Sequence, residues 1–424
     1  MATKQASVRK ATHRAVRALF SRLPRPLRFA LYRRMIDCDP APDSRLVLKV
    51  ANTQDELEAC FRILHDAYVA SGFMKPSSSG MRVTCYHALP TTTTLCAKFD
   101  GKVVGTISMV REGVFGFPMQ AVFDLGPVRA EEGQIAEISA LAVHPDFRST
   151  GGAILFPLMK FMYEYCTQYF DTRHLVIAVN PDRIEMYESL LFFHRLQENT
   201  VAHYDFANGA PAVGAMLDLS KALTIFKNVY ASRTPRKNLF NYFVGLKLPH
   251  ITLPRRRYHL TNDAVMTPQM LDYFFNQQSG VFAELDDRRR ALLWSIYDQP
   301  EFRSVLPMLQ DDQNSFSQTR RHQRFSMRCP AQFDGGENGA MVVVTVIQLS
   351  LTGFQVQSKL PLQVGAEGQA IVELGVNERS VLQVRVVRVD AGESSNFGFR
   401  VLEADDAWRH CVAALETQHV GDDL

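Results

Sequence analysis

The chain has 424 residues, enough for two or three domains that each bury a core of their own. Its 47 Lys and Arg residues nearly balance 44 Asp and Glu residues, and its seven cysteines show no paired spacing, which argues against a disulfide framework and a zinc site. Because no apolar run is long enough to span a bilayer and no signal-peptide core is present, we expect a cytoplasmic protein.

Residues 1–34 are strongly basic, and with the residues up to 44 they form an N-terminal arm. They contain ten basic residues and no acidic residue. Helical spacing is interrupted at Pro24 and Pro26 and resumes over residues 27–31. Three interpretations stay open: an amphipathic anchor at the inner face of an anionic membrane, a docking arm for an acidic carrier protein, or an unstructured basic tail. Nucleic acid is not an expected partner, because no nucleic-acid-binding fold is indicated.

The middle of the chain has the pattern strand, glycine loop, helix, strand, helix. An apolar run at residues 138–143 predicts a strand, and a glycine loop at residues 148–153 leads into a helix. Unpaired backbone N–H groups and the helix dipole make such a loop a phosphate-binding site. Residues 174–179 predict a second strand, which leads to Asn180 and then to a helix that carries Tyr187.

This pattern resembles the GNAT acyltransferase superfamily, whose motif at the loop is Arg/Gln-x-x-Gly-x-Gly/Ala. The resemblance implies a mixed sheet flanked by helices, a loop that cradles the phosphates of a pantetheine arm, and a tyrosine that acts as general acid. The donor-binding residues that it implies are Arg148, Ser149, Thr150, Gly151, Gly152, Ala153 and Asn180. Phe192 replaces the usual glycine, so we expect the turn at that position to be built differently.

Residues 45–220 are also similar to the long-chain N-acyl amino acid synthases (FeeM-like), relatives of the acyl-homoserine-lactone synthases. Six separated phrases carry this similarity in order: residues 68–75, 80–82, 86–92, 101–106, 137–145 and 208–212. The similarity implies transfer of a long acyl group from acyl carrier protein, or from acyl-CoA, to the amine of an amino acid.

Amide formation from a thioester requires a base, an oxyanion donor and an acid for the leaving thiolate. Glu137 is the candidate base, with an ion pair at the surface as the alternative. Tyr187 is the candidate acid, with packing beside neighbouring phenylalanines as the alternative. The backbone N–H groups from Ser139 to Leu141 are the candidate oxyanion donors, provided that the strand splays.

Arg82 and His87 are candidates for binding the amino acid substrate. For His87 a satisfied, partly buried histidine is the better interpretation. Arg62 is predicted to pair with Asp66 at i,i+4. Residues 114–123 are interpreted either as a wall of an acyl tunnel or as a β-hairpin that packs on the core.

Residues 221–315 predict a mostly helical connector, in which Trp294 and Tyr297 are core residues. Residues 316–410 predict a small antiparallel β-barrel, with strands at residues 341–347, 355–357, 370–374, 381–389 and 397–401. Residues 411–424 are assigned to a C-terminal tail. The predicted fold class is therefore α+β.

Two motifs in the barrel region resemble those of the PilZ domain, a bacterial receptor for cyclic di-GMP. The family motifs are Arg-x-x-x-Arg and Asp/Asn-x-Ser-x-x-Gly. The residues that the resemblance assigns to the nucleotide are Arg320, Arg321, Arg324, Gln348, Ser350 and Gly353. Arginine forks and a serine hydroxyl suit phosphate and guanine groups. Gln348 departs from the family's Asp or Asn, so a docking module that does not bind the nucleotide is the alternative.

Together these resemblances imply a bacterial N-acyltransferase that is regulated by cyclic di-GMP and needs no metal. Two alternatives remain: a GNAT acetyltransferase that uses a short acyl-CoA, and a catalytically inactive adaptor that responds to cyclic di-GMP.

Overall fold

The computed structural model describes residues 23–148, 150–263, 265–297, 299–309, 324–335, 340–389 and 396–416. Most of the predicted basic arm, Ser149, Arg320 and Arg321 lie outside these residues. No helix in the described ranges combines the length and the apolar character that crossing a membrane requires.

The first part of the chain forms an eight-stranded mixed sheet with helices on both faces. Its strands are β1 (Leu46–Val50), β2 (Thr92–Phe99), β3 (Lys102–Arg111), β4 (Gln134–Val143), β5 (Thr172–Val179), β6 (His194–Arg195), β7 (Val201–Tyr204) and β8 (Ala210–Asp218). Its helices are α1 (Arg25–Arg34), α2 (Gln54–Ala70), α3 (Gly126–Arg129), α4 (Leu155–Phe170), α5 (Pro181–Leu190), α6 (Leu219–Tyr230), α7 (Pro268–Leu271) and α8 (Asp287–Ile296). Short 3₁₀-helical turns and π-helical turns, the latter at Asn241–Gly245 and Asp272–Gln277, complete this part.

The strand order is β1-β2-β3-β4-β5-β8-β6, and β7 pairs separately with β8. The neighbours β4 and β5 are parallel, whereas the other pairs are antiparallel. Strands β4 and β5 pair only as far as Glu137 and Val176, although both continue beyond these residues. The two strands therefore splay, which confirms the condition set by the sequence for the oxyanion donors.

The sheet has a core on each face, and β4 alternates between them as a strand must. Ala136 and Ile138 face a core built with α4 and α6, whereas Ile135 faces a second core built with α2 and residues 268–306. Glu137 lies on the same side as Ile135, because side chains two residues apart share a face.

The segment 221–315 does more than connect two domains, and it is less helical than predicted. Residues 246–267 are largely irregular, with Ile251 bridged to Leu48 of β1. From residue 268 onward the segment supplies part of the second core through the buried side chains of Leu271, Phe274, Phe275, Phe282, Leu285, Leu293, Tyr297, Phe302 and Leu306. The predicted core position of Tyr297 is confirmed.

Two details of the first domain differ from the prediction. Arg62 pairs with Glu58 at 2.6 Å instead of Asp66, because Glu58 lies one turn earlier on the same face of α2. Residues 114–123 form a loop with a 3₁₀ turn (Pro118–Ala121) and no hairpin. The side chains of Phe117, Met119 and Phe123 pack in the second core, as the second interpretation expected, but no hairpin forms. These side chains do not line the apolar cavity described below.

The C-terminal part is a closed antiparallel barrel, as predicted, with strand order β10-β11-β14-β13-β12-β9. Its strands are β9 (Phe325–Phe333), β10 (Val342–Ser350), β11 (Gly353–Ser358), β12 (Glu367–Gly375), β13 (Glu378–Val389) and β14 (Asn396–Glu403), followed by α9 (Asp406–Glu416). Sequence reasoning missed β9, which carries a proline at position 330. It also missed α9, whose Cys411 and Leu415 are buried against the barrel core.

Residues 256–263, called the strap below, run from the barrel to the sheet. At the barrel end Tyr258 bridges Gly375 of β12, and Leu260 bridges Met327 of β9. Tyr258 is buried in the barrel core although it precedes the barrel by more than sixty residues. The strap is thus an additional barrel element.

At the sheet end the strap enters a buried ionic network. Asp263 accepts a hydrogen bond from the Tyr165 hydroxyl at 2.8 Å and pairs with Arg256 and with Arg111 of β3. The Arg111 Nε donates to the Thr261 carbonyl at 2.8 Å. Because these charged groups are buried, breaking one pair leaves an uncompensated charge, which typically costs about 3–5 kcal/mol. The strap is therefore held firmly at both ends.

Candidate functional site

An apolar cavity of about 280 Å³ opens where β4 and β5 diverge. It passes between the sheet and four helical elements: α4, α5, α6 and the π-helical turn at Asn241–Gly245. Most of its wall is aliphatic or aromatic, with Met159 and Met162 from α4, Phe226 from α6 and Phe243 from the turn. Such a wall suits a hydrocarbon chain and offers little to a charged ligand.

The predicted oxyanion donors line this cavity at the splayed edge. Ser139, Ala140 and Leu141 are lining residues. The register of β3 and β4 shifts here, so that Ala140 and Leu141 together oppose Ile107, and Ala140 has a positive φ of 54°. A β-bulge of this kind interrupts the regular ladder and re-aims backbone groups. The strand therefore presents main-chain polar groups to an otherwise apolar cavity.

The glycine loop at residues 148–153, called the donor loop below, precedes α4. Its glycines adopt backbone conformations that other residues resist. Gly151 and Gly152 have φ values of 65° and 93°. The Arg148 Nε donates to the Val143 carbonyl at 2.8 Å, which ties the loop to the end of β4. The Thr150 hydroxyl donates to the Phe147 carbonyl at 2.7 Å, and the Ala153 N–H donates to the Thr150 carbonyl. The loop thus forms a compact turn ahead of the helix, as a phosphate cradle requires.

Asn180 and Tyr187 reach the cavity from α5. The Asn180 side chain caps this helix by accepting a hydrogen bond from the Asp182 N–H at 2.8 Å. Tyr187 packs edge-on against Phe193, with ring centroids 5.9 Å apart. Burial raises the pKa of Tyr187, so its phenol stays protonated at neutral pH. The phenol therefore meets the requirement for an acid, and its aromatic packing contact is also present.

The turn after α5 keeps the geometry that glycine would supply. Phe192 has a φ of 61°, a left-handed conformation that typically costs a non-glycine residue about 1–2 kcal/mol. Its ring packs at 5.2 Å from that of Phe226 and lies under the Arg33 guanidinium. The expectation of a different turn is wrong, because packing compensates for the strain.

Glu137 is the most strongly perturbed carboxyl group of the site. Its side chain is 1% exposed, and its Oε2 accepts a hydrogen bond from the Met119 N–H at 2.9 Å. Burial raises the pKa of Glu137 from 4.5 to about 8, and the single backbone hydrogen bond offsets only part of this effect. The surface ion pair that was the alternative is excluded by this burial. A buried carboxyl with a pKa near neutrality suits a general base.

Arg82 lies on the Glu137 side of the sheet and is 6% exposed. Its guanidinium stacks on the Tyr68 ring at 4.1 Å and donates to the Phe206 carbonyl, while its Nε has no partner. Burial lowers the pKa of Arg82 because no carboxylate of the described residues compensates its charge. Tyr68 also lines the apolar cavity, so the Arg82 guanidinium lies one aromatic ring away from it.

His87 does not share the character of Arg82. Its Nδ1 accepts a hydrogen bond from the Thr84 N–H at 3.0 Å, and its ring packs on Phe61 at 4.7 Å. Burial and the Arg82 charge lower the pKa of His87 to about 3, so the ring is neutral. The arrangement agrees with a satisfied core histidine that shapes the pocket.

Sequence reasoning missed Tyr68 and Tyr204. The Tyr204 hydroxyl is buried and has no hydrogen-bond partner among the described residues. It lies near enough to Glu137 and Arg82 for their charges to affect its pKa. Burial raises the pKa of Tyr204, which keeps it a hydrogen-bond donor. Tyr68 begins one of the phrases that carry the family similarity, whereas Tyr204 has no signal in the sequence because β7 is short and edge-like.

The second candidate site lies at the start of the barrel. The Arg324 Nη1 donates to the Gln348 Oε1 at 3.1 Å, so the longer glutamine side chain meets the motif arginine directly. Gln348 lies at a β-bulge where both neighbouring strands shift register after Val346. The other two arginines assigned to this site, Arg320 and Arg321, lie outside the described residues.

Ser350 and Gly353 form the turn between β10 and β11. The Ser350 hydroxyl donates to the Gly353 carbonyl at 2.9 Å. A Cβ at Gly353 would lie 2.6 Å from the Phe399 carbonyl oxygen, so the close approach of two backbones requires glycine here. Serine and glycine thus shape the loop, next to the Arg324–Gln348 pair.

One described group combines metal-ligand residue types: Glu131, His174 and Asp218, whose ligand atoms lie within 4.8 Å of one another. The Lys221 ammonium already bridges the two carboxylates, at 3.3 Å and 3.1 Å. The group therefore reads as a structural ion-pair cluster at the start of α6.

The splayed sheet, the glycine loop and the apolar cavity have the arrangement that the sequence led us to expect of an N-acyltransferase. Residues 59–218 match the family model of the N-acyl amino acid synthase FeeM, and residues 318–416 match that of the PilZ domain. Residues 59–218 thus carry a FeeM-type N-acyl amino acid synthase domain, and a PilZ domain follows it in the chain. A comparison with curated proteins found no match.

Three solved structures illustrate the similarity. FeeM, an N-acyl amino acid synthase from uncultured soil microbes, is 25% identical over 42% of this chain and 94% of its own, with a TM-score of 0.37. BjaI, a CoA-dependent acyl-homoserine lactone synthase, is 19% identical over 49% and 92%, with a TM-score of 0.35. YcgR from Escherichia coli in complex with c-di-GMP is 19% identical over 24% and 46%, with a TM-score of 0.21.

Proposed function

We propose that this protein transfers a long-chain acyl group from acyl carrier protein to the amine of an amino acid, under the control of cyclic di-GMP. The observation that supports this most strongly is a buried, uncompensated guanidinium close to the apolar cavity. The buried Arg82 guanidinium lacks a carboxylate partner among the described residues, and Tyr68 places it beside the apolar cavity. An amino acid carboxylate would satisfy Arg82, while an acyl chain would fill the cavity.

The proposed chemistry follows from this placement. The substrate amine loses a proton to Glu137 and attacks the thioester carbonyl carbon, so a C–N bond forms. Backbone N–H groups in the Ser139–Leu141 bulge stabilise the oxyanion. The C–S bond then breaks, and the departing thiolate takes its proton from the Tyr187 phenol. The second proton lost by the new amide nitrogen restores the phenol, and Glu137 releases the first proton to solvent, so one proton is released for each ammonium acylated. Tyr204 is positioned to donate a hydrogen bond to the bound amino acid or to Glu137.

The donor loop supports a pantetheine-linked donor, because residues 148–153 precede α4 at the end of the splayed strand. The size and apolar wall of the cavity favour a long acyl group over an acetyl group. A buried carboxyl without a cationic partner is costly, and in an inactive adaptor nothing would offset this cost. These observations support the synthase over both alternatives.

The strap supports regulation of this activity by the barrel. The motif residues 320–324 directly precede β9, and Met327 of β9 bridges Leu260 of the strap. At its other end the strap binds Arg111 of β3, which neighbours the catalytic strand β4. Regulation requires that the nucleotide bind two states of the enzyme differently. Because the strap contacts both the barrel and β3, a change in the barrel on nucleotide binding could alter the contacts of the strap with the sheet.

The reaction is tested by incubating purified protein with long-chain acyl carrier protein and a mixture of amino acids, followed by mass spectrometry. We expect an N-acyl amino acid from the wild type and about a hundredfold less, or lower still, from Glu137→Gln. Product from acetyl-CoA alone would favour the short-chain alternative, and no product from any donor would favour the adaptor.

Regulation is tested separately by repeating the kinetics at saturating cyclic di-GMP. We expect kcat or KM to change, and Arg324→Ala to remove that response. If the nucleotide binds, as shown by calorimetry, and the kinetics stay the same, then the regulatory part of the proposal is wrong while the synthase assignment stands.

A further inference from the structure

We propose that α1 and the turn at residues 233–237 form the docking face for the donor's carrier, an acidic acyl carrier protein. This carrier face consists of Leu27, Leu31, Arg34, Met35, Arg236 and Lys237. It lies outside the family-matched residues 59–218. The inference rests on the proposed function, because it assigns the surface that delivers the thioester.

The orientation of α1 is fixed by polar contacts on one side. Arg28 pairs with Glu185 of α5 at 2.9 Å, and the Arg33 Nε donates to the Ser189 carbonyl at 2.9 Å. Arg25 pairs with Glu188 at 2.8 Å. Three basic residues of the arm therefore hold α1 against α5, although the Arg25 side chain stays 57% exposed.

The opposite side of α1 presents an apolar stripe. Leu27, Leu31 and Met35 follow one another at a spacing of four residues, and Leu27 and Met35 are 53% and 77% exposed. No residue of α1 is buried. A helix that is held in place by its polar side and exposes leucines on the other has the form of a binding surface.

Positive charge is concentrated at one end of this stripe. An open cleft is bordered by Arg34 and Met35 from α1 and by Arg236 and Lys237 from the turn. The Lys237 Nζ donates to the Arg34 carbonyl at 2.8 Å. Arg236 pairs with Asp37 at 2.6 Å and with Asp39 at 3.4 Å, so the uncompensated positive charge of the cleft belongs to Arg34 and Lys237. Among the described residues the Arg34 guanidinium has no hydrogen-bond or ion-pair partner and projects its charge to solvent.

The charged end of the stripe borders the donor loop. An Asp37 carboxylate oxygen lies 3.6 Å from the position that a Cβ on Gly151 would occupy. The helix to which α1 is fixed, α5, also carries Asn180 and Tyr187 of the cavity. A protein seated on the carrier face would thus place its pantetheine arm at the loop and direct it between the splayed strands.

The arrangement fits an acidic protein better than an anionic membrane. A helix that lies on a membrane carries basic residues along the length of its polar face. In the described part of the arm, Arg25, Arg28 and Arg33 of α1 bind α5, and the Arg34 guanidinium, which has no such partner there, lies at the end of α1 that borders the donor loop. Complementary charge at this position would steer a carrier to the entrance and accelerate its association.

The test compares one long acyl group on two donors, acyl carrier protein and free acyl-pantetheine, at low ionic strength. For Arg34→Glu we expect the ratio of the two kcat/KM values to fall about tenfold, since steering changes association rates by at least this factor. For Leu31→Ser we expect a smaller fall that does not depend on salt. Lys102→Glu, a charge reversal on the exposed β2–β3 turn, is the matched control and should leave the ratio unchanged.

Each outcome decides a different point. A ratio that stays constant in Arg34→Glu and Leu31→Ser overturns the carrier face. If Arg34→Glu and Leu31→Ser lose binding to vesicles of phosphatidylglycerol and phosphatidylcholine while the ratio of the two kcat/KM values stays constant, the carrier face is overturned in favour of a membrane anchor. If the wild type acylates with neither donor, the proposed function fails, whatever the variants do.

Discussion

Glu137→Gln should make the protein more stable at alkaline pH while abolishing its catalysis. The Glu137 carboxyl is 1% exposed, and burial raises its pKa from 4.5 to about 8. Glutamine has the same shape, carries no charge and retains an oxygen that can accept the hydrogen bond from the Met119 N–H. The variant thus imitates the protonated wild type at every pH.

The sign of the stability change follows from proton linkage. The folded-state pKa of Glu137 lies above the unfolded value, so the unfolded chain loses its proton first as the pH rises. The wild type therefore loses stability between the unfolded pKa of 4.5 and the folded pKa of about 8. The corresponding free energy is at most about 5 kcal/mol, at 1.36 kcal/mol for each pKa unit.

The assay is urea unfolding of wild type and variant from acidic to alkaline pH. Taking the difference between the two proteins cancels the contribution of the barrel, which the substitution does not touch. We expect nearly equal stability at pH 5 and a growing advantage of Glu137→Gln toward pH 8.5. Glu198→Gln, at an exposed carboxyl, is the control and should show no such trend.

Activity should change in the opposite direction. Glutamine cannot accept the ammonium proton, so we expect the kcat of Glu137→Gln to fall by about 10² to 10⁴. In the wild type kcat/KM should rise with pH toward the raised pKa of Glu137. Identical pH dependence of stability in wild type and variant would refute the raised pKa, and an active variant would refute the role as base.

Three further predictions concern the pockets and the barrel. Phe226→Leu widens the apolar cavity, so competition among acyl donors should shift toward longer chains, by about fourfold in kcat/KM for each methylene that gains contact. Arg82→Lys loses the planar group that stacks on Tyr68; the KM for the amino acid should rise about tenfold or more, with little change in the KM for the donor. Gly353→Ala forces a Cβ against the Phe399 carbonyl, so calorimetry should show an earlier barrel transition and weaker cyclic di-GMP binding.

The sequence predicted the sheet around the site because local signals there are strong. The apolar run before His144 predicts β4, and the glycines at positions 151 and 152 predict the loop and the start of α4. The structure has these elements in that order. The splay of β4 from β5 could only be stated as a condition. It depends on a bulge at Ala140, where a positive φ at an alanine carries no sequence signal.

The features that sequence reasoning missed depend on contacts between distant segments. Tyr258 enters the barrel core from the strap, and Tyr204 reaches the neighbourhood of Glu137 from a four-residue strand. Hydrophobic periodicity cannot report either placement, since each residue stands alone in an irregular context. Met119 likewise meets Glu137 only because its loop folds into the second core.

The acyltransferase domain extends beyond residue 218, where the family-matched segment ends, because later residues complete its cavity and its core. Phe226 and Phe243 wall the apolar cavity, and the buried residues from Leu271 to Leu306 complete the core on the Glu137 side. A chain that ended at 218 would expose this core and open the cavity to water, so it would lose both the acyl site and the low dielectric that raises the pKa of Glu137. The strap lies within the same region. The proposed acyl site, the environment of the proposed base and the link to the barrel therefore depend on one stretch of chain. The strap contacts Arg111 of β3, which pairs with β4, the strand that carries Glu137.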